Sequence, residues 1–142
     1  GLSAAGGRGE AELGDPRVRL YGLDLTYRIW PGGNRRILFQ GEAMRQTRDP
    51  EDGSGSRDGY YLLGDYRLNQ FDAVGLRYDW SERPAPSAGH DSGLSAFYTR
   101  SLSETSYLRL QLTHERDADF GDANTAYLQM VWGLGPHAHE LQ

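Results

Sequence analysis

From Pro16 onward the chain alternates apolar and polar side chains at every second position, and each run of alternation lasts about ten residues. In the first run Tyr21, Leu23, Leu25, Tyr27 and Ile29 share one parity, while Gly22, Asp24, Thr26 and Arg28 share the other. A helix would scatter both sets around its circumference; a strand sorts them onto two faces. Seven runs are readable: Arg17 to Trp30, Arg36 to Thr47, Gly59 to Leu68, Phe71 to Trp80, Gly93 to Leu102, Ser106 to Arg116 and Asn124 to Leu134. Leu38, Met44, Tyr61, Leu63, Phe97 and Arg100 break the alternation. A typical globular strand has about 5–6 residues, whereas a strand that crosses a bilayer needs about 9–11. The pattern predicts an all-β fold of about seven antiparallel transmembrane β-barrel strands in a meander. These strands occupy 17–135, with a loop or tail over 1–16 and a C-terminal tail over 136–142.

The connections alternate in length. Pro31 to Arg35, Asn69-Gln70 and Ser103 to Thr105 read as tight turns. Arg48 to Asp58, Ser81 to Ser92 and Asp117 to Ala123 are longer and polar. Outer-membrane barrels of Gram-negative bacteria have short periplasmic turns and longer external loops, so the tight turns are expected at the periplasm. Aromatic residues fall near both ends of the apolar parity. Tyr21, Tyr60, Tyr78 and Trp80 lie towards the long loops; Tyr66, Tyr98 and Trp132 lie towards the tight turns. Amphipathic rings favour the headgroup level, so two girdles are expected. Trp30 lies at the turn level but off the apolar parity.

The other parity is charged and polar. Asp24, Arg28, Gln40, Glu42, Asp65, Arg67, Arg77, Asp79, Arg109, Gln111 and Gln129 are the candidate pore-lining residues. A dry core could not hold these charges unpaired, because each would carry a heavy desolvation cost. A water-filled lumen can. There, opposed Arg and carboxylate clusters would set up a transverse field that orients small polar solutes. The plainer expectation for any single residue is a cross-strand ion pair that holds the wall together.

Other chemistries find little support. The 15 basic residues are all Arg and face 20 acidic ones, a net charge of -5. A nucleic-acid partner would want a basic face. Cysteine is absent, which removes disulfides, thiolate nucleophiles and Cys-ligated zinc. His90-Asp91 has no serine partner in a nucleophile motif, Asp72 and Asp79 make no carboxylate dyad, and His114 has the lipid-side parity. No enzyme activity and no cofactor are expected. His137 and His139, beside Glu140, are a weak candidate pair of metal ligands. Asp49, Glu51, Asp52 and Asp58, then Asp117, Asp119 and Asp122, form acidic loops that could attract Ca²⁺ or Mg²⁺ bridging lipopolysaccharide phosphates, though without EF-hand spacing.

Gly22-Leu23-Asp24-Leu25-Thr26-Tyr27, followed by Trp30-Pro31, resembles the "G-x-D-L-T-Y-x-W-x-P" strand of bacterial outer-membrane porin-like proteins, some described as zinc-regulated TonB-dependent outer-membrane receptors. The Trp stands one residue later than in that pattern. Gln40-Gly41-Glu42 is similar to the next strand of these proteins, Gly75 to Asp79 to their "G-x-R-Y-D" strand, and Leu134 to His137 to their "L-G-P-H" close. The resemblance implies the C-terminal part of an outer-membrane barrel, with membrane lipid and small polar solutes as partners; it carries over no catalytic or substrate residue. The chain ends Leu141-Gln142 rather than on the aromatic residue usual for such barrels.

Seven is odd, and single-chain bacterial barrels have even strand numbers. Three arrangements follow. The chain is the C-terminal piece of a larger barrel, with Gly1 to Asp15 an external loop after further strands; or part of Gly1 to Asp15 pairs to complete eight strands; or the barrel is soluble. The start, without Met or a targeting signal, reads as a mature protein or a fragment. An oligomer is compatible with each.

Overall fold

In the computed structural model, residues 1–8, 17–48, 55–83 and 89–133 are described. Among them every regular element is a strand: β1 (Leu2–Arg8), β2 (Arg17–Gly32), β3 (Arg35–Arg48), β4 (Arg57–Arg67), β5 (Asp72–Glu82), β6 (His90–Ser101), β7 (Ser106–Asp117) and β8 (Gly121–Trp132). They form one antiparallel sheet in sequence order, with β1 and β8 as its two edges. The expected all-β meander is what the chain adopts. From β2 to β8 the strands run 11 to 16 residues, long for a globular sheet. No helix is long and apolar enough to cross a membrane, which says nothing about strands.

Two expectations are corrected. The stretch 1–16, read as loop or tail, contains β1, so the sheet has eight strands rather than seven. Leu2 to Arg8 pairs with Leu23 to Arg17. Ala4, Ala5, Gly6 and Gly7 carry no alternation, but backbone pairing needs none; alternation only reports a face chosen by side chains. The second correction is at Asp117 to Ala123, read as a long loop. Asp117 instead pairs with Gly121, leaving Ala118 to Phe120 as a tight turn. Asp117 Oδ1 accepts hydrogen bonds from the backbone N–H of Asp119 and Phe120, both 2.8 Å, and Gly121 takes φ 79°, a left-handed conformation that favours glycine. The chain thus closes the turn locally. The expected tail and its His137 and His139, the loop acids Asp49, Glu51 and Asp52, and the last residues of 17–135 lie outside the described residues.

The register carries the alternation across the sheet. Neighbouring rows on one face read Leu25–Gly41–Leu62–Tyr78–Leu94–His114 and Tyr27–Phe39–Gly64–Leu76–Ala96–Leu112. Nothing among the described residues covers this apolar face: Leu25 is 69% exposed, Leu62 and Leu76 59% each, and Leu128 76%. No hydrophobic residue among those described is buried. The buried residues are Ser95 and Thr113, both on the opposite face, with their hydroxyl oxygens 3.0 Å apart. This inverts the layering of a soluble domain, which hides its apolar face first.

Outward aromatics cluster where expected near the long loops. Tyr60 stacks on Trp80 with ring centroids 5.4 Å apart and lies 6.1 Å from Tyr78. At the tight-turn end, Asp72 ties the β4–β5 turn. Its carboxylate accepts from Tyr98 Oη at 2.6 Å, Arg100 Nη1 at 2.8 Å and Asn69 Nδ2 at 2.9 Å. Arg100, one of the breaks in the alternation, thus lies on the apolar side at its polar margin. Asp72→Ala should therefore loosen this turn. Faster exchange of the Leu68 amide, which donates to the Asp72 carbonyl at 2.8 Å, reports it; unchanged exchange would show that the carboxylate does not hold the turn.

Candidate functional site

Every candidate pore-lining residue falls on one face. Strand alternation and pairing put Asp24, Glu42, Tyr61, Asp79, Gly93 and Glu115 in one row across β2 to β7. The next row is Thr26, Gln40, Leu63, Arg77, Ser95 and Thr113, and the next Arg28, Leu38, Asp65, Gly75, Phe97 and Gln111. Arg36, Arg67, Ala73, Thr99, Arg109 and Gln129 follow across β3 to β8. A cavity of about 1190 Å³ opens here, lined from Glu42 on β3 to Gln129 on β8; Ser95 and Thr113 on this face are buried while the large side chains of the other face are exposed, so the polar face is the concave one.

Its charges are partly paired. Arg77 grips Asp79 on its own strand, Nε at 2.9 Å from both carboxylate oxygens and Nη2 at 2.6 Å from one, and the guanidinium lies 4.2 Å over the Tyr61 ring. Arg36 reaches across to Asp65 at 2.8 Å. Gln40 Nε2 donates to Tyr61 Oη at 3.0 Å, and Gln111 Nε2 to Thr113 Oγ1 at 3.1 Å. Arg109 donates to Thr99 Oγ1 at 2.9 Å and lies 5.0 Å over the Phe97 ring. Asp24 is 3.4 Å from the ammonium of Gly1. Arg28, Glu42 and Arg67 have no charged or hydrogen-bonded partner among the described residues.

The expected opposition of Arg and carboxylate clusters takes a different form. Asp24, Glu42, Asp79 and Glu115 share one row, whereas Arg36, Arg67 and Arg109 share another, six residues along the strands. At about 3.3 Å per residue that separation is roughly 20 Å. Charge therefore changes sign along the strands of this face.

Sequence reading missed Arg36, Tyr61, Ser95 and Glu115. Parity could have found Arg36, which is in phase with Leu38, Gln40 and Glu42. Tyr61 looked like an error in the pattern because it is aromatic, yet its hydroxyl and ring both serve polar neighbours. Leu38, Leu63, Met44 and Phe97 are likewise on the concave parity.

At the long-loop end, Arg83 binds Asp91 at 2.7 Å, Asp117 at 2.6 Å and also Asp119. The hydrogen bond it donates to Asp91 and the charges of the other two hold its pKa above the ordinary arginine value. Asp117 is lowered, first by the backbone N–H groups of Phe120 and Asp119. Asp58 pairs with Arg45 at 3.4 Å, and Asp122 lies 3.9 Å from Arg116. The described loop acids thus face cations of the chain itself, and no group of three or more potential ligands among described residues is placed to hold a metal. Comparison with family models, with curated proteins and with solved structures finds no match to this chain.

Proposed function

We propose that the chain forms part of the wall of an outer-membrane β-barrel, its apolar face against lipid and its concave face along a path for small polar solutes. The observation that carries this reading is the exposure of most of the apolar face while the only buried residues among those described are polar. An apolar face of this size in water would be a large unpartnered patch; in a bilayer it is satisfied. The stacked Tyr60 and Trp80 at its margin fit a headgroup level.

The open edges bear on the path. Lipid-exposed sheet edges do not occur in hydrocarbon, so in a bilayer β1 and β8 pair with each other or with further strands. Closed alone, eight strands enclose an interior just wide enough for side chains to fill. Passage of solutes needs a wider ring. A structural or binding barrel with a filled interior is the second reading, favoured by Phe97 and Tyr61 on the concave parity.

Two measurements separate these readings. After expression of the full-length gene, the protein should fractionate with the outer membrane and migrate differently on a gel when unheated. Soluble recovery without that shift would refute membrane insertion. In planar bilayers, the intact protein should give steady conductance that Arg77→Ala alters. Inserted but silent protein would leave the filled barrel as the answer.

A further inference from the structure

The tight-turn end of the concave face holds more positive charge than its neighbours can balance. Arg36 and Arg67 stand directly opposite each other on β3 and β4. Arg28 on β2 stands opposite Leu38, which is opposite Asp65, so Arg28 is diagonal to Arg36. Like charges directly opposite on neighbouring strands repel. Among the described residues one carboxylate, Asp65, serves the group, and it is taken by Arg36 Nη2 at 2.8 Å. Arg36 Nε is shut off from solvent and has no hydrogen-bond partner. Arg28 and Arg67 have none among the described residues. Beside Arg67 on β5 stands Ala73, and beside Asp65 stands Gly75, so the neighbouring strand adds no acid and little bulk. Asp72, the next acid in sequence, is bound to Arg100 and Tyr98. Glu42 lies six residues up β3, roughly 20 Å away.

We propose that Arg28, Arg36 and Arg67 form a binding site for a small solute bearing phosphate or carboxylate oxygens. Planar guanidiniums present paired N–H donors that match such oxyanions, and charge-assisted bonds of this kind are the strong ones. A bound oxyanion relieves the repulsion between Arg36 and Arg67. Asp65 orients Arg36 and leaves the other two guanidiniums free for the solute. The row of Asp24, Glu42, Asp79 and Glu115 further along the face repels the same anion, which confines it to the turn end. This site names the solute class for the path proposed above and rests on that reading.

Calorimetric titration of the intact protein with inorganic phosphate and with citrate, in about 0.15 M sodium chloride, tests it. At that ionic strength the Debye length is about 8 Å, so diffuse attraction is largely screened. Saturable binding of at least one probe is expected, weakened at least tenfold by Arg67→Gln and by Arg28→Gln. Neither arginine has a described partner, so neither change should disturb folding, which circular dichroism checks. Arg45→Gln, on the apolar parity of β3, removes the same charge elsewhere and should change affinity less than twofold. Absence of saturable binding by both probes overturns the proposal, as does equal weakening by all three variants. Selective binding by protein that stays dispersed without detergent would retain the site and overturn the membrane reading alone.

Discussion

Leu110→Arg should block assembly of the protein in outer membrane, whereas Gln111→Arg, one residue further along β7, should leave most of it assembled. Leu110 lies in the apolar row between Tyr98 and Leu128 and is 47% exposed. Gln111 lies on the concave face, where it donates to Thr113 at 3.1 Å. An arginine facing lipid near the bilayer midplane costs about 2–4 kcal/mol, while losing the Gln111 hydrogen bond costs about 1 kcal/mol. The comparison also reads what covers the apolar face. If that face meets water, Leu110→Arg is close to neutral and improves solubility. Thiol labelling gives an independent measure, since the chain has no cysteine. Gln111→Cys in the inserted protein should react with a small water-soluble reagent, and Leu110→Cys should react only after detergent replaces lipid. Equal labelling, or the reverse order, would mean that the two faces are wrongly assigned.

Gly75→Val should be the most damaging single change on the concave face. A Cβ at Gly75 would stand 2.2 Å from Phe97 Cζ and 2.7 Å from the carbonyl oxygen of Gly64. The ring could swing aside, but the carbonyl belongs to the neighbouring strand and cannot move without loosening the β4–β5 ladder. Overpacking of this kind costs about 1–3 kcal/mol, and a branched side chain should fall at the upper end. Gly64→Ala is the control: its Cβ would meet Phe39 at 3.9 Å, ordinary contact. Urea titration of both variants should show a clear loss of stability for Gly75→Val and little for Gly64→Ala. Similar losses would show that the close approach of Phe97 and Gly64 to Gly75 does not govern packing there.

These two glycines show what was legible in advance. Parity assigned Gly64 and Gly75 to opposite faces, as it did Leu110 and Gln111, because a two-residue period survives any twist or curvature of the sheet. It placed all eleven candidate lining residues on one face for the same reason. It was silent where side chains carry no contrast, and so β1, rich in glycine and alanine, passed for a tail. It was misled where an aspartate makes a turn: the acids of Asp117 to Ala123 read as loop composition, while Asp117 was capping two backbone amides. Partners two strands apart in sequence, such as Arg83 with Asp117, leave no local trace. Nor does the row in which a charge lies, which depends on the register of each pairing, and so the separation of acids from arginines came only with the structure.

Each strand pairs only with strands adjacent to it in sequence. For folding this means that every ladder closes across a short connection, and loop-closure entropy rises only slowly with connection length. Such a topology can grow hairpin by hairpin, with each new strand templated on the edge left by the last. It has no obligatory long-range nucleus. A seam between β1 and β8 would be the exception. Its partners are separated by nearly the whole chain, so it would form last and open first.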